Sequence, residues 1–207
     1  MEIRRYEASL WKKASRAATL LQLAPFVRFV AVTGSLGRGE AKPDSDADLF
    51  VVTEPHHLYT ARVFALVFLQ YTGLRINFER ERIGGTVDPN YWLTSDNLDI
   101  EPHNAYVARD YSYMLPLWDA SGIFLKLMHM NPWVAEYKRK FRDMKPPTPH
   151  VLLRFIQQIL EGICFLFGSW LERWTRSVQE KKVREFAERR GKTDQAVIQG
   201  NELRLHL

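Results

Sequence analysis

A single cysteine, Cys164, stands in 207 residues, which excludes an internal disulfide and any zinc site built on thiolates. A lone cysteine of this kind reads as a small apolar residue on a buried helix. No apolar run reaches the roughly 20 residues that a bilayer-spanning helix requires. The most apolar stretch, 151–174, is interrupted by Arg154, Gln157, Gln158 and Glu161, and is read as a largely buried helix. No apolar segment follows the charged opening Met1-Glu2-Ile3-Arg4-Arg5, so no secretory leader is expected. The expected location is the cytoplasm, without membrane association. Internal repeats and low-complexity tracts are absent. An acidic balance is absent too. Lys and Arg number 29 against 24 Asp and Glu, a net charge of +5. That surplus favours anionic partners such as nucleotides or nucleic acid.

What is present is an alternation of helical and strand-like segments. Residues 4–23 have helical periodicity, with Leu10, Trp11, Ala14, Ala17, Ala18 and Leu21 on one side and Pro25 as the stop. The runs 26–33, 47–53, 74–79 and 85–93 read as strands, and 57–71 as a helix closed by Gly73. The run 47–53 is nearly all apolar after Asp48, as a central strand should be. Beyond residue 100 the segments 104–110, 120–130, 134–144 and 151–179 read as helices. Pro146-Pro147-Thr148-Pro149 is a stiff linker, and 196–199 with 202–205 form a terminal hairpin. The fold class expected is α/β (α+β): a mixed sheet core over residues 1–100 and a helical region over 101–207.

The chemistry is concentrated between Val32 and Val52. A strand ends at Gly34-Ser35 and a helical turn begins, exposing unpaired backbone N–H groups suited to phosphate. Gly34 permits close approach of a phosphate to the backbone, and the Ser35 hydroxyl can donate to it. Arg38, one turn on, can add a charge-assisted hydrogen bond. Ten residues separate Ser35 from Asp46, and Asp46 and Asp48 stand at the head of a buried strand. Side chains two apart in a strand share a face, and two carboxylates on one face repel unless a cation lies between them. Hard divalent ions such as magnesium take such oxygen ligands. A glycine turn, a serine or an Asp-x-Asp alone is ordinary. It is the combination, feeding into Leu49-Phe50-Val51-Val52, that points to chemistry.

Gly-Ser, ten residues, Asp-x-Asp and an apolar run is similar to the signature of the DNA polymerase beta-like nucleotidyltransferase superfamily, over residues 24–93. Arg38-Gly39, Ala41, Pro43 and Ser45-Asp46 resemble its small prokaryotic members. The resemblance implies a mixed sheet flanked by helices, a nucleoside triphosphate (ATP or another) on Gly34, Ser35 and Arg38, and two Mg2+ ions on Asp46 and Asp48. It also implies a third carboxylate on a later strand, completing the metal site and helping to deprotonate an attacking hydroxyl. Asp88, 40 residues beyond Asp48, is preferred for that role, although Pro89 places it at a strand end or on an edge strand. Glu79 is the alternative. The implied reaction moves a nucleoside monophosphate, AMP in this reading, to an acceptor hydroxyl; the motif leaves the acceptor open, with RNA or protein first and a small molecule such as an aminoglycoside second.

Weaker signals surround this centre. His56-His57 reads as polarity at a helix entry. Tyr91, Trp92, Trp133 and Tyr137 are core aromatics, any of which could stack a base. Residues 172–192 hold eight Lys and Arg against four Glu, either a solvated, internally paired helix or a surface for an RNA or protein acceptor. The apolar face of 151–174 can pack within the chain or against a second copy. The rival to catalysis is a partner-binding or antitoxin-like module that keeps the fold.

Overall fold

The structure is a computed structural model and describes residues 2–75, 84–135, 145–189 and 196–205. Helix α1 (Glu2–Leu21) buries the stripe Leu10, Ala14, Ala17, Ala18 and Leu21, as its periodicity requires. Strand β1 (Val27–Val32) is buried at every position and runs into the short helix α2 (Gly34–Arg38). Strand β2 (Ala47–Thr53), helix α3 (Leu58–Tyr71) and strand β3 (Val87–Thr94) follow. The expected strand 74–79 falls mostly outside the described residues, as does Glu79.

Helix α4 (Ala105–Ser112), strand β4 (Leu115–Asp119), helix α5 (Ile123–Met130) and the single turn α6 (Pro132–Ala135) come next, then the helices α7 (Val151–Leu166) and α8 (Gly168–Arg189). The chain ends in β5 (Ala196–Ile198) and β6 (Glu202–Leu205), an antiparallel hairpin as expected.

Six strands form one mixed sheet in the order β4-β1-β2-β3-β6-β5. β2 and β3 are parallel, and the other pairs are antiparallel. The sheet therefore takes strands from both halves of the chain. On one side Leu49, Val51 and Trp92 pack with Leu10 and Leu21 of α1 and Leu58 and Ala65 of α3. On the other, Phe29, Phe50 and Tyr91 pack with Tyr111 of α4 and Phe124 of α5. Full burial of each such side chain stabilises by about 1.5–3 kcal/mol.

Three expectations are corrected. β4 was not anticipated: its sequence, Leu115-Pro116-Leu117-Trp118-Asp119, is short and carries a proline, yet it sits at the sheet edge where a missing N–H is tolerated. β3 does not stop at Pro89. Its pairing with β2 shifts register there, Asp48 lying opposite Asp88 and Phe50 opposite Tyr91, and its pairing with β6 covers only Tyr91 to Leu93. The extra residue absorbs the proline.

The third correction concerns 151–179, read as one helix and as largely buried over 151–174. It is two helices meeting at 94°, broken at Phe167 and Gly168, with Gly168 at φ +54°. The buried residues of α7 are Gln157, Glu161 and Cys164, while most of its large apolar side chains face outward. The polar residues are turned inward because they have partners there. Gln157 donates to the carbonyls of Ala24 and Val27, and Glu161 accepts from the Phe26 amide (2.8 Å) and from Arg28 (2.6 Å). The buried arginine needs that carboxylate. No single described helix is long and apolar enough to cross a membrane.

Candidate active site

The end of β1 and the start of β2 lie side by side. The Thr33 amide donates to the Asp48 carbonyl at 3.0 Å, so Gly34 emerges directly against the aspartate side chain. Gly34 has φ +65°, and a β-carbon there would lie 2.3 Å from Asp48 Oδ2. Only glycine satisfies both the backbone and the space. Gly37 is held by packing: a β-carbon there would meet the Tyr113 carbonyl at 2.8 Å. Ser35 follows Gly34 at the turn and is half-buried.

Asp46 and Asp48 are both half-buried at the mouth of β2. Asp46 Oδ1 accepts from the Thr86 amide (2.8 Å) and from the Thr86 hydroxyl (2.6 Å). Asp48 Oδ1 accepts from Asn90 Nδ2 at 2.8 Å. Thr86 and Asn90 are neutral, so they orient the carboxylates without cancelling their charge. Orienting partners of this sort are what a hard cation's ligands require. Their oxygens are the ligand type that a divalent ion would take.

A three-carboxylate site is not assembled: among the described residues no group of three His, Cys, Asp or Glu is placed to hold a metal. Asp88 stands opposite Asp48 in the register, but the Pro89 irregularity gives Asp48 the Asn90 amide as its neighbour. The Asp88 charge is felt instead by Arg62 and Arg75. Burial pushes Arg62 down to about 9, the nearby Arg75 adds to this, and Asp88 opposes it. Arg75 is lowered by burial and likewise supported by Asp88.

Arg38 is also engaged elsewhere. Its Nη1 donates to Asp110 and its Nε to Glu40 at 2.8 Å, and Arg109 donates to Glu40 at 2.9 Å. Burial works against the Arg38 cation, yet the Glu40 hydrogen bond and the Asp110 charge outweigh it and hold its pKa above the ordinary value. Burial pushes Asp110 up, against the pull of Arg38 and Arg109. Direct contact of the two side chains makes the charged pair the form to retain. A phosphate at this turn would therefore meet the Ser35 hydroxyl and the backbone before it met Arg38.

Sequence reasoning missed four residues. Thr86 and Asn90 have no local signal, since only sheet pairing brings them to the aspartates. Tyr6 and Lys13 had one, as polar residues at helical spacing beside the buried stripe of α1. The Tyr6 hydroxyl donates to the Ser45 carbonyl at 2.8 Å, and Lys13 Nζ to the Gly85 carbonyl at 2.5 Å. Gly85 N also donates to the Ser45 carbonyl at 2.8 Å. α1 thus holds both chain segments that flank Asp46. Burial raises the Tyr6 pKa, and the charges of Asp46 and Asp44 add to it.

Residues 17–86 match the family model described as nucleotidyltransferase domain. No curated protein and no solved structure matches the chain.

Proposed function

We propose, for a chain whose residues 17–86 match the nucleotidyltransferase domain model, that it transfers a nucleoside monophosphate from a triphosphate such as ATP to an acceptor hydroxyl on RNA or protein. The carrying observation is the meeting of Gly34 with the Asp48 carboxylate, which puts a phosphate-binding turn and a cation ligand in one corner. The Ser35 hydroxyl and the first N–H groups of α2 bind phosphate oxygens. Asp46 and Asp48 would hold a magnesium ion, which when bound offsets phosphate charge. Asn90 and Thr86 keep those two carboxylates oriented. The acceptor oxygen bonds to the α-phosphorus, the bond from that phosphorus to the bridging oxygen breaks, and pyrophosphate leaves. The hydroxyl proton passes to water. Among the described residues no third carboxylate joins the pair, so no side chain is assigned here to a second ion.

That same observation favours a second reading, a domain that binds nucleotide without transferring it. One experiment separates the two. The protein is incubated with magnesium and each α-labelled triphosphate, with total RNA or cell lysate, and triphosphate binding is followed by calorimetry. Label moving to an acceptor supports transfer. Binding without transfer supports the second reading, and absence of both overturns the site.

A further inference from the structure

The outer face of α7 is apolar where a surface helix is ordinarily polar. Of the 17 described large hydrophobic side chains that are exposed, 12 lie between Val151 and Val178. Surface hydrophobics scattered singly need no explanation, but a continuous patch does. Eight of the 12 lie on α7 itself and together expose on the order of 800 Å², about what one partner contributes to a standard protein interface.

The pattern says what kind of surface fits. Leu152, Ile156, Ile159, Ile163 and Leu166 follow one another at spacings of four, three, four and three. That is the seam along which one helix packs on another, knobs into holes. The exposed positions of α7 carry no charge: Glu161 is buried on Arg28, and Arg154 is half-buried and donates to Gln157. A helix lying on a bilayer surface carries cations beside its apolar face to meet the headgroups. α7 exposes none. The exposed Arg173, Arg176, Lys181, Lys182 and Arg184 all lie on α8, beyond the 94° break, so the α7 seam itself brings no like charges together. An uncharged seam is complementary to itself, as a twofold contact requires.

We propose that α7 is a dimerisation helix, through which two copies of this chain pair about a twofold axis. Sedimentation of the full chain at micromolar concentration tests this. Wild type should sediment at twice the 24.2 kDa chain mass. Ile159→Glu/Ile163→Glu should sediment at the single-chain mass with unchanged circular dichroism, since both positions are about half exposed. Leu166→Arg, at a residue 84% exposed, is a milder second variant, expected to raise the dissociation constant at least about tenfold. Leu125→Glu, on α5, should leave the dimer intact. Wild type at the single-chain mass overturns the proposal, and its flotation with anionic phospholipid vesicles would then assign the face to a bilayer. A dimer that survives the seam variants overturns it equally.

Discussion

A β-carbon on Gly34 would stand 2.3 Å from Asp48 Oδ2, so turn and carboxylate share a space that no side chain can enter. Gly34→Ala therefore meets both a clash and an unfavourable positive φ, the latter worth about 1–2 kcal/mol. The expected outcome is loss of triphosphate binding in calorimetry with a Tm only a few degrees lower. Wild-type affinity in this variant would remove the turn from the site.

Asp48 and Asp88 are opposite in register but differ in surroundings. Asp48→Asn, like Asp46→Asn, should lower turnover by more than about 100-fold while leaving Tm unchanged. Asp88→Asn removes the counter-charge felt by Arg62 and Arg75, so it should lower Tm and leave residual turnover per folded molecule near wild type. Abolished turnover at an unchanged Tm would instead make Asp88 a ligand.

Tyr6 and Lys13 hold the Ser45 and Gly85 carbonyls beside Asp46. Tyr6→Phe and Lys13→Met should each reduce transfer about 10–100-fold and raise the magnesium concentration giving half-maximal rate. A purely structural role would lower Tm and leave that magnesium dependence in place.

Glu161 accepts from Arg28 and from the Phe26 amide in the interior. Glu161→Ala should cost about 3 kcal/mol, because it strips a buried arginine of one of its two carboxylates. Glu161→Gln should cost less, since an amide oxygen still accepts from Phe26. The midpoints of urea unfolding at unchanged m-value measure both.

His57 stacks on Phe26 with ring centres 3.7 Å apart, and burial holds its pKa below the ordinary value, against the opposing charges of Glu172 and Glu54. A histidine lowered in this way favours the fold while neutral. Its contribution is present above its unfolded-state pKa of about 6.5 and is lost as pH falls through the lower folded-state value. Tm should drop on going from neutral pH to below that value, and His57→Phe should flatten the drop. Equal slopes in the two proteins would exclude His57 as the cause.

Helix α1, the buried strands β1 and β2, helix α3 and the Gly34-Ser35, Asp46-x-Asp48 spacing were legible in the sequence. Their signals are local: periodicity, a stop at Pro25, a glycine at a strand end, and carboxylates two apart along a strand. The outward apolar face of α7 was not legible, because Leu152 and Ile159 look the same on the sequence whether they face a core or solvent. Its direction is set by Arg28, which is buried in β1 and binds Glu161 across 133 positions of chain. The same holds at the site. The sequence by itself determined the Gly34-Ser35 turn and the aspartate pair. Only the tertiary structure decided that Asn90 reaches Asp48, that Arg38 is taken by Asp110, and that α1 braces Asp46. Strand pairing and charge pairing join residues far apart in the chain, and no local pattern records which partner a side chain will meet.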